Sequence, residues 1–251
     1  RLTRVYSVAS FFGIALVAVA LSMFYRTIAV RSLIEHETQT NVSITQALSN
    51  TLWPKYANFV ARAAGIPSAE LSAQPEVVSL REEVIEKIRG LRVVKIKIYN
   101  LDGLTVYSTE PGQIGERKTG NTGFLQAKAG KVWSDLVFRD HFSATEQVIE
   151  NRNLLSSYIP VRRTPESPVE GVFEIYSDVT SLVADIRNTE HTVVGGITGM
   201  LLLLYFFLFT IVRRADRIIH AHENEERKAQ AEQIHYMAYH DPLTGLANRA
   251  L

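Results

Sequence analysis

The chain contains no cysteine, so neither a disulfide framework nor a thiolate metal site is open to it, and a domain outside the cytoplasm must hold its core by packing alone. Net charge is also nearly missing: 27 lysines and arginines face 26 acids, a formal charge of +1. The basic residues toward the C-terminal end are offset by Asp216, Glu223, Glu225, Glu226 and Glu232, which excludes a nucleic-acid footprint there. Charge is absent altogether from two blocks, Val5–Tyr25 and Val193–Val212. At about 1.5 Å of helix rise per residue, each block is long enough to cross a hydrocarbon layer of roughly 30 Å. Proline and glycine are absent from Arg213–Tyr239, which is rich in Glu, Arg, Lys, Gln and Ala and so predicts a helix.

These absences divide the chain. Residues 1–4 form a short N-terminal flank, 5–25 and 193–212 are membrane spans, 26–192 is one polar domain of ordinary size, and 213–239 is a signal helix. Arg1 and Arg4 precede the first span and Arg213, Arg214 and Arg217 follow the second, against Arg26, Arg31 and Arg187 between them. That bias places both termini in the cytoplasm and the middle domain outside, in the periplasm if the membrane is a bacterial inner membrane. The alternative for the first span is a cleaved signal peptide, for which Ala18-Val19-Ala20 supplies a small-residue site.

In the middle domain, Leu33, Glu37, Asn41, Ile44, Leu48, Leu52, Tyr56, Phe59 and Ala63 recur at spacings of three and four, predicting a long helix over Ile28–Ala64 that Pro54 should kink. A second helix, Pro75–Arg89, has proline in its first turn and Gly90 just past its end. The period then becomes alternating. Val93–Tyr99, Leu104–Ser108, Val132–Arg139, Leu154–Pro160 and Gly171–Tyr176 read as five strands, the first two joined through Asn100-Leu101-Asp102-Gly103. A short helix, Gly123–Ala129, lies between the second and third, and Asp178 caps a last helix entering the second span.

This order, with Ile98-Tyr99-Asn100-Leu101-Asp102-Gly103, Gln113-Ile114-Gly115 and Tyr158-Ile159-Pro160-Val161, resembles a single Cache domain, the PAS-like extracytoplasmic sensor module, over roughly residues 33–188. The implied fold is α+β: a long N-terminal helix and an antiparallel sheet of about five strands between two transmembrane helices. The resemblance implies a small ligand, such as a carboxylate or amino acid, held between the sheet and the loops around the small helix. Tyr107, Trp133, Arg139, Tyr158, Tyr176 and Asp178 are the candidate contacts. Each has a plainer reading: core packing for the aromatics, a strand end for Arg139, capping for Asp178. Arg139 is of most interest, since a guanidinium presents a planar fork to carboxylate.

On the cytoplasmic side, Ile211, Ala215, Ile218, His222, Glu225, Ala229, Glu232 and Tyr236 follow a seven-residue pattern that includes charges, fitting either a switchable parallel coiled coil or a solvated spacer. Gly195 and Gly199 are a small-xxx-small pair in the second span, a spacing that suits a homodimer contact. His220, His222, His235 and His240 do not share one helix face, so no metal site is expected of them. The arginines after the second span suit lipid headgroups.

The segment His240–Arg249 carries Asp241, Leu243, Thr244, Leu246, Asn248 and Arg249 in the pattern Asp-x-Leu-Thr-x-Leu-x-Asn-Arg. Without a family, a turn at Asp241-Pro242 with a hinge at Gly245 describes the same residues. The pattern resembles the entry to GGDEF domains, the diguanylate cyclases. The resemblance implies that residues 240–251 open such a domain, that these six positions are structural, and that this stretch has no catalytic residue of its own. It further implies a cyclase working as a dimer on two GTP molecules to form cyclic-di-GMP, with Mg²⁺ or Mn²⁺ held by carboxylates past Leu251. Alternatives from the same residues are a degenerate GGDEF receptor, coupled or not to a cyclic-di-GMP phosphodiesterase domain, and a Cache-type chemoreceptor or sensor kinase.

Overall fold

The structure is a computed structural model and describes residues 2–145, 147–164 and 166–239; the 240–251 motif lies outside the described residues. The chain divides into two compact units, residues 25–189 and residues 1–24 with 190–251.

The elements of the 25–189 unit follow the local chemistry. Helix α1, Leu2–Arg62, contributes its later part here and continues through Pro54. Proline removes the N–H that the carbonyl four residues back would accept, but Asn50 is exposed, so water can serve it without breaking the helix. After a one-turn helix, α2 (Ser68–Leu71), comes α3 (Pro75–Ile88), with Pro75 in its first turn and Val77, Leu80, Val84 and Ile88 buried. Gly90 takes a φ of +82° just beyond it, the left-handed turn that suits glycine.

Five strands follow: β1 (Val93–Tyr99), β2 (Thr105–Ser108), β3 (Trp133–Ser143), β4 (Val148–Val161) and β5 (Gly171–Asp178). They form one antiparallel sheet in the order β2-β1-β5-β4-β3. In the β1–β2 turn the Asn100 side chain accepts from the N–H groups of Asp102 and Leu104. The fold is thus α+β with a long N-terminal helix, a five-stranded antiparallel sheet and an exit helix, α5 (Thr180–Tyr239).

The two faces of the sheet differ. Ile96, Ile98, Phe173 and Ile175 pack with Leu52, Trp53, Phe59 and Val60 of α1 and with Leu80 and Val84 of α3. Burying each such side chain contributes about 1.5–3 kcal/mol before the entropy of ordering it. Gly171 lets Trp53 lie against the sheet, since a Cβ there would sit 2.5 Å from the indole. Nearer the span the α1 contact turns polar. Asn41 is fully buried, donates to Ser157 Oγ at 3.0 Å and accepts from Ser177 Oγ at 2.7 Å. Such a paired contact fixes the position of α1 along the sheet, because sliding the helix leaves buried amide groups unpaired.

The β3–β4 hairpin is longer than the sequence pattern predicts, pairing from Trp133↔Tyr158 out to Ser143↔Val148. Its tip returns to β1, where Thr145 donates to the Val94 carbonyl through both its backbone N–H and its hydroxyl.

In the other unit two helices, within Arg4–Gly65 and Thr180–His235, are long and apolar enough to cross a membrane. Phe11, Leu16, Met200, Leu203 and Phe206 are exposed along them, as lipid-facing side chains are. Tyr6 stacks on Tyr205 at 5.7 Å, Tyr205 donates to Ser7 Oγ at 3.1 Å, and Ser22 donates to Glu190.

Candidate functional site

The second face of the sheet carries a buried polar cluster. Alternation along β1 puts Lys95, Lys97 and Tyr99 on this face, and the register sets Lys97 opposite Glu174 and Lys95 opposite Tyr176 on β5. On β4, Tyr158 lies opposite Glu174 and Ser156 opposite Tyr176, while Trp133 on β3 lies opposite Tyr158. The face is closed by three pieces of chain. Helix α4 (Thr122–Lys128), its N-terminus capped by Asn121 accepting from the Phe124 N–H, brings Phe124 against Tyr99 at 5.7 Å. Gly123 rests directly on Tyr158, whose ring carbon lies 2.2 Å from where a Cβ would stand. The loop before α4 supplies Gln113 and Glu116, and the hairpin supplies Phe142.

Glu174 is fully buried at the centre, with Tyr99 Oη donating to one carboxylate oxygen at 2.5 Å and Ser156 Oγ to the other at 3.2 Å. Lys97, 3% exposed, reaches Glu116 at 3.7 Å. Lys95, 2% exposed, donates to Gln113 Oε1 at 3.3 Å and lies 3.9 Å from the centre of the Phe142 ring. Among the described residues it forms no ion pair. An ammonium held by an amide and an aromatic face is poorly compensated for its loss of water. Burial first, and then repulsion from Lys97, pull Lys95 down to about 8. Burial also lowers Lys97, against the pull of Glu174 and Glu116. Burial first, and then the Glu174 charge, push the Tyr99 and Tyr158 phenols far up, so they stay protonated as donors. Tyr176 is raised by the same two causes.

Of the residues singled out from sequence, the structure brings Tyr158, Tyr176 and Trp133 to this face, with Trp133 at its exposed rim. Tyr107 is buried in the opposite core, between sheet and helices, and its phenol oxygen has no hydrogen-bond partner. Arg139 is exposed on the outer part of the hairpin, paired across from Arg152. Asp178 accepts from the Thr180 N–H at 2.9 Å at the start of α5 and lies 3.4 Å from the Arg152 guanidinium. Sequence reasoning missed Lys95, Lys97, Tyr99, Ser156 and Glu174. The available signal was one polar set at alternate positions of three neighbouring strands, Lys-x-Lys-x-Tyr, Ser-x-Tyr and Glu-x-Tyr.

Chemically, the cluster holds two ammonium groups, one carboxylate and several phenols in an enclosed setting. It is equipped for recognition: ammonium donors for a carboxylate and a carboxylate acceptor for an amine, each strengthened by exclusion of water.

No protein-family model matches the chain, and no curated protein matches it. Among solved structures it is similar to the sensor domain of the V. cholerae histidine kinase DctB, at 16% identity and a TM-score of 0.33 over 62% of this chain and 59% of that one. It is similar to a domain of a sensory box/GGDEF family protein from Vibrio parahaemolyticus, at 11% identity and a TM-score of 0.33 over 64% of this chain and 63% of that one. A third is the E. coli DcuS sensor domain, at 18% identity and a TM-score of 0.28 over 58% of this chain and 98% of that one. The chain thus spans about three fifths of the DctB and V. parahaemolyticus domains it matches.

Proposed function

We propose that this chain is the sensing and membrane portion of a receptor whose outer domain binds a small carboxylate or amino acid on the polar face of its sheet. The observation that carries this reading is the buried Lys95–Lys97–Glu174 cluster: two ammoniums and a carboxylate are costly to bury, and a ligand carrying the opposite charges offsets that cost. Helix α5 begins where β5 ends, so a ligand that moves β5 acts on the helix leading to the second span. Both termini lie in the cytoplasm and the sensing domain in the periplasm, on the argument of the flanking arginines.

The output is cyclic-di-GMP synthesis by a GGDEF domain that opens at Asp241. The support is the six-position motif Asp241, Leu243, Thr244, Leu246, Asn248 and Arg249 directly after the signal helix. The chemistry belongs to the GGDEF domain, with GTP as substrate and Mg²⁺ or Mn²⁺ as cofactor. The receptor works as a homodimer, since two such domains must face one another. The test is conversion of GTP to cyclic-di-GMP by the whole protein in lipid vesicles with Mg²⁺. Product formation supports the reading. Nucleotide binding without product moves the output to the degenerate receptor, and neither binding nor turnover removes the GGDEF assignment.

A further inference from the structure

A cavity of about 220 Å³ lies between α1 and the end of β4. It shares no residue with the Lys95–Glu174 cluster. One wall is α1, through Val42, Thr45 and Ser49; the other is the end of β4, through Ile159, Pro160 and Arg162. Thr45 is 2% exposed, and its hydroxyl has no hydrogen-bond partner in protein. A buried hydroxyl without a partner costs roughly 1–3 kcal/mol unless something in the cavity accepts or donates to it. Threonine on a helix usually satisfies itself on the carbonyl one turn back, as Thr40 does on His36 at 3.0 Å; Thr45 does not.

Arg162 brings the charge. Its Nη1 donates to the Ser167 carbonyl at 2.8 Å, and no carboxylate pairs with it among the described residues. Its Nη2 lies 2.5 Å from where a Cβ on Gly130 would stand, so that glycine makes room for the guanidinium. The neighbouring Arg163 is neutralised by Glu170 at 3.1 Å, leaving Arg162 as the cation with donors to spare. Val42, Ile159 and Pro160 supply apolar wall, beside the polar Gln46, Ser49, Arg163 and Thr164.

We infer that this cavity is a second binding site, for a short-chain carboxylate whose head pairs with Arg162 and the Thr45 hydroxyl and whose aliphatic body lies against Val42, Ile159 and Pro160. The guanidinium supplies a fork matched to the two carboxylate oxygens. Because Thr45 belongs to α1, which also carries the first span, occupancy bears on the position of that helix. The site stands independently of a ligand at the Lys95–Glu174 cluster.

The experiment is calorimetric titration of the full chain, in lipid nanodiscs, with acetate and butyrate. Saturable binding is expected, with butyrate the tighter for its longer apolar body. Arg162→Gln should weaken butyrate binding about tenfold. Thr45→Val, isosteric and free of the unpartnered hydroxyl, should weaken it severalfold while raising the Tm of the empty protein; that rise also shows the variant is folded. Lys87→Met, an exposed position on α3 outside both sites, should leave it unchanged. The proposal is overturned if neither carboxylate binds saturably, or if Lys97→Met abolishes binding while Arg162→Gln leaves it intact.

Discussion

At the scale of single residues, Lys95 is the most consequential. Its charged neighbours are the Lys97 ammonium and the Glu110, Glu116 and Glu174 carboxylates, with burial the dominant influence. The folded-state value, about 8, lies below the ordinary lysine value of 10.5. Between the two the unfolded chain binds the proton and the folded chain has released it, so stability rises with pH across that window. The cost of holding the ammonium inside is fully present below about pH 8. Above pH 10 the trend reverses, because Tyr99, Tyr158 and Tyr176 stay protonated when folded while their unfolded counterparts ionise. Lys95→Met should therefore be more stable than wild type near neutral pH by about 1–3 kcal/mol. It should also flatten the rise between pH 8 and 10, leaving what the buried Lys97 contributes, as read by urea unfolding at a series of pH values. A variant less stable at pH 7 with an unchanged pH profile would show that Lys95 is well compensated where it sits.

At the scale of elements, α4 is the piece on which the site depends, because it meets the sheet through a glycine. Gly123→Ala would set a methyl 2.2 Å from the Tyr158 ring, a contact that forces helix or ring to move. The expected cost is about 1–3 kcal/mol of stability, with a larger loss in ligand affinity than any variant on the exposed side of α4, such as Lys128→Ala. Equal effects of the two would mean α4 does not close the site. Much of this level is legible in the sequence. Strand β1 runs over Val93–Tyr99 as its alternation predicts, and the apolar stripe of α1 faces the sheet. The outer hairpin is not: the predicted strand ends at Arg139, yet pairing continues to Ser143 because the two arms hydrogen-bond to each other beyond the main sheet. The lysines of β1 mislead in the opposite way. Lys-x-Lys reads as a solvated face, and only Gln113, Glu116 and Phe142, distant in sequence, cover it. Local pattern carries no information about such a lid.

At the scale of the whole molecule, two helices suited to a bilayer lead into and out of a domain whose one sheet is apolar toward α1 and α3 and polar toward α4. A polar interior costs stability in an isolated protein and is offset when a ligand completes it, as the proposed sensing role requires. The most direct measurement is titration of the intact protein with a panel of amino acids and carboxylates, repeated on Lys97→Gln. The account predicts at least one member that binds saturably to wild type and at least about tenfold more weakly to the variant. Ligands that bind both proteins equally would place recognition away from the Lys95–Glu174 face and contradict it.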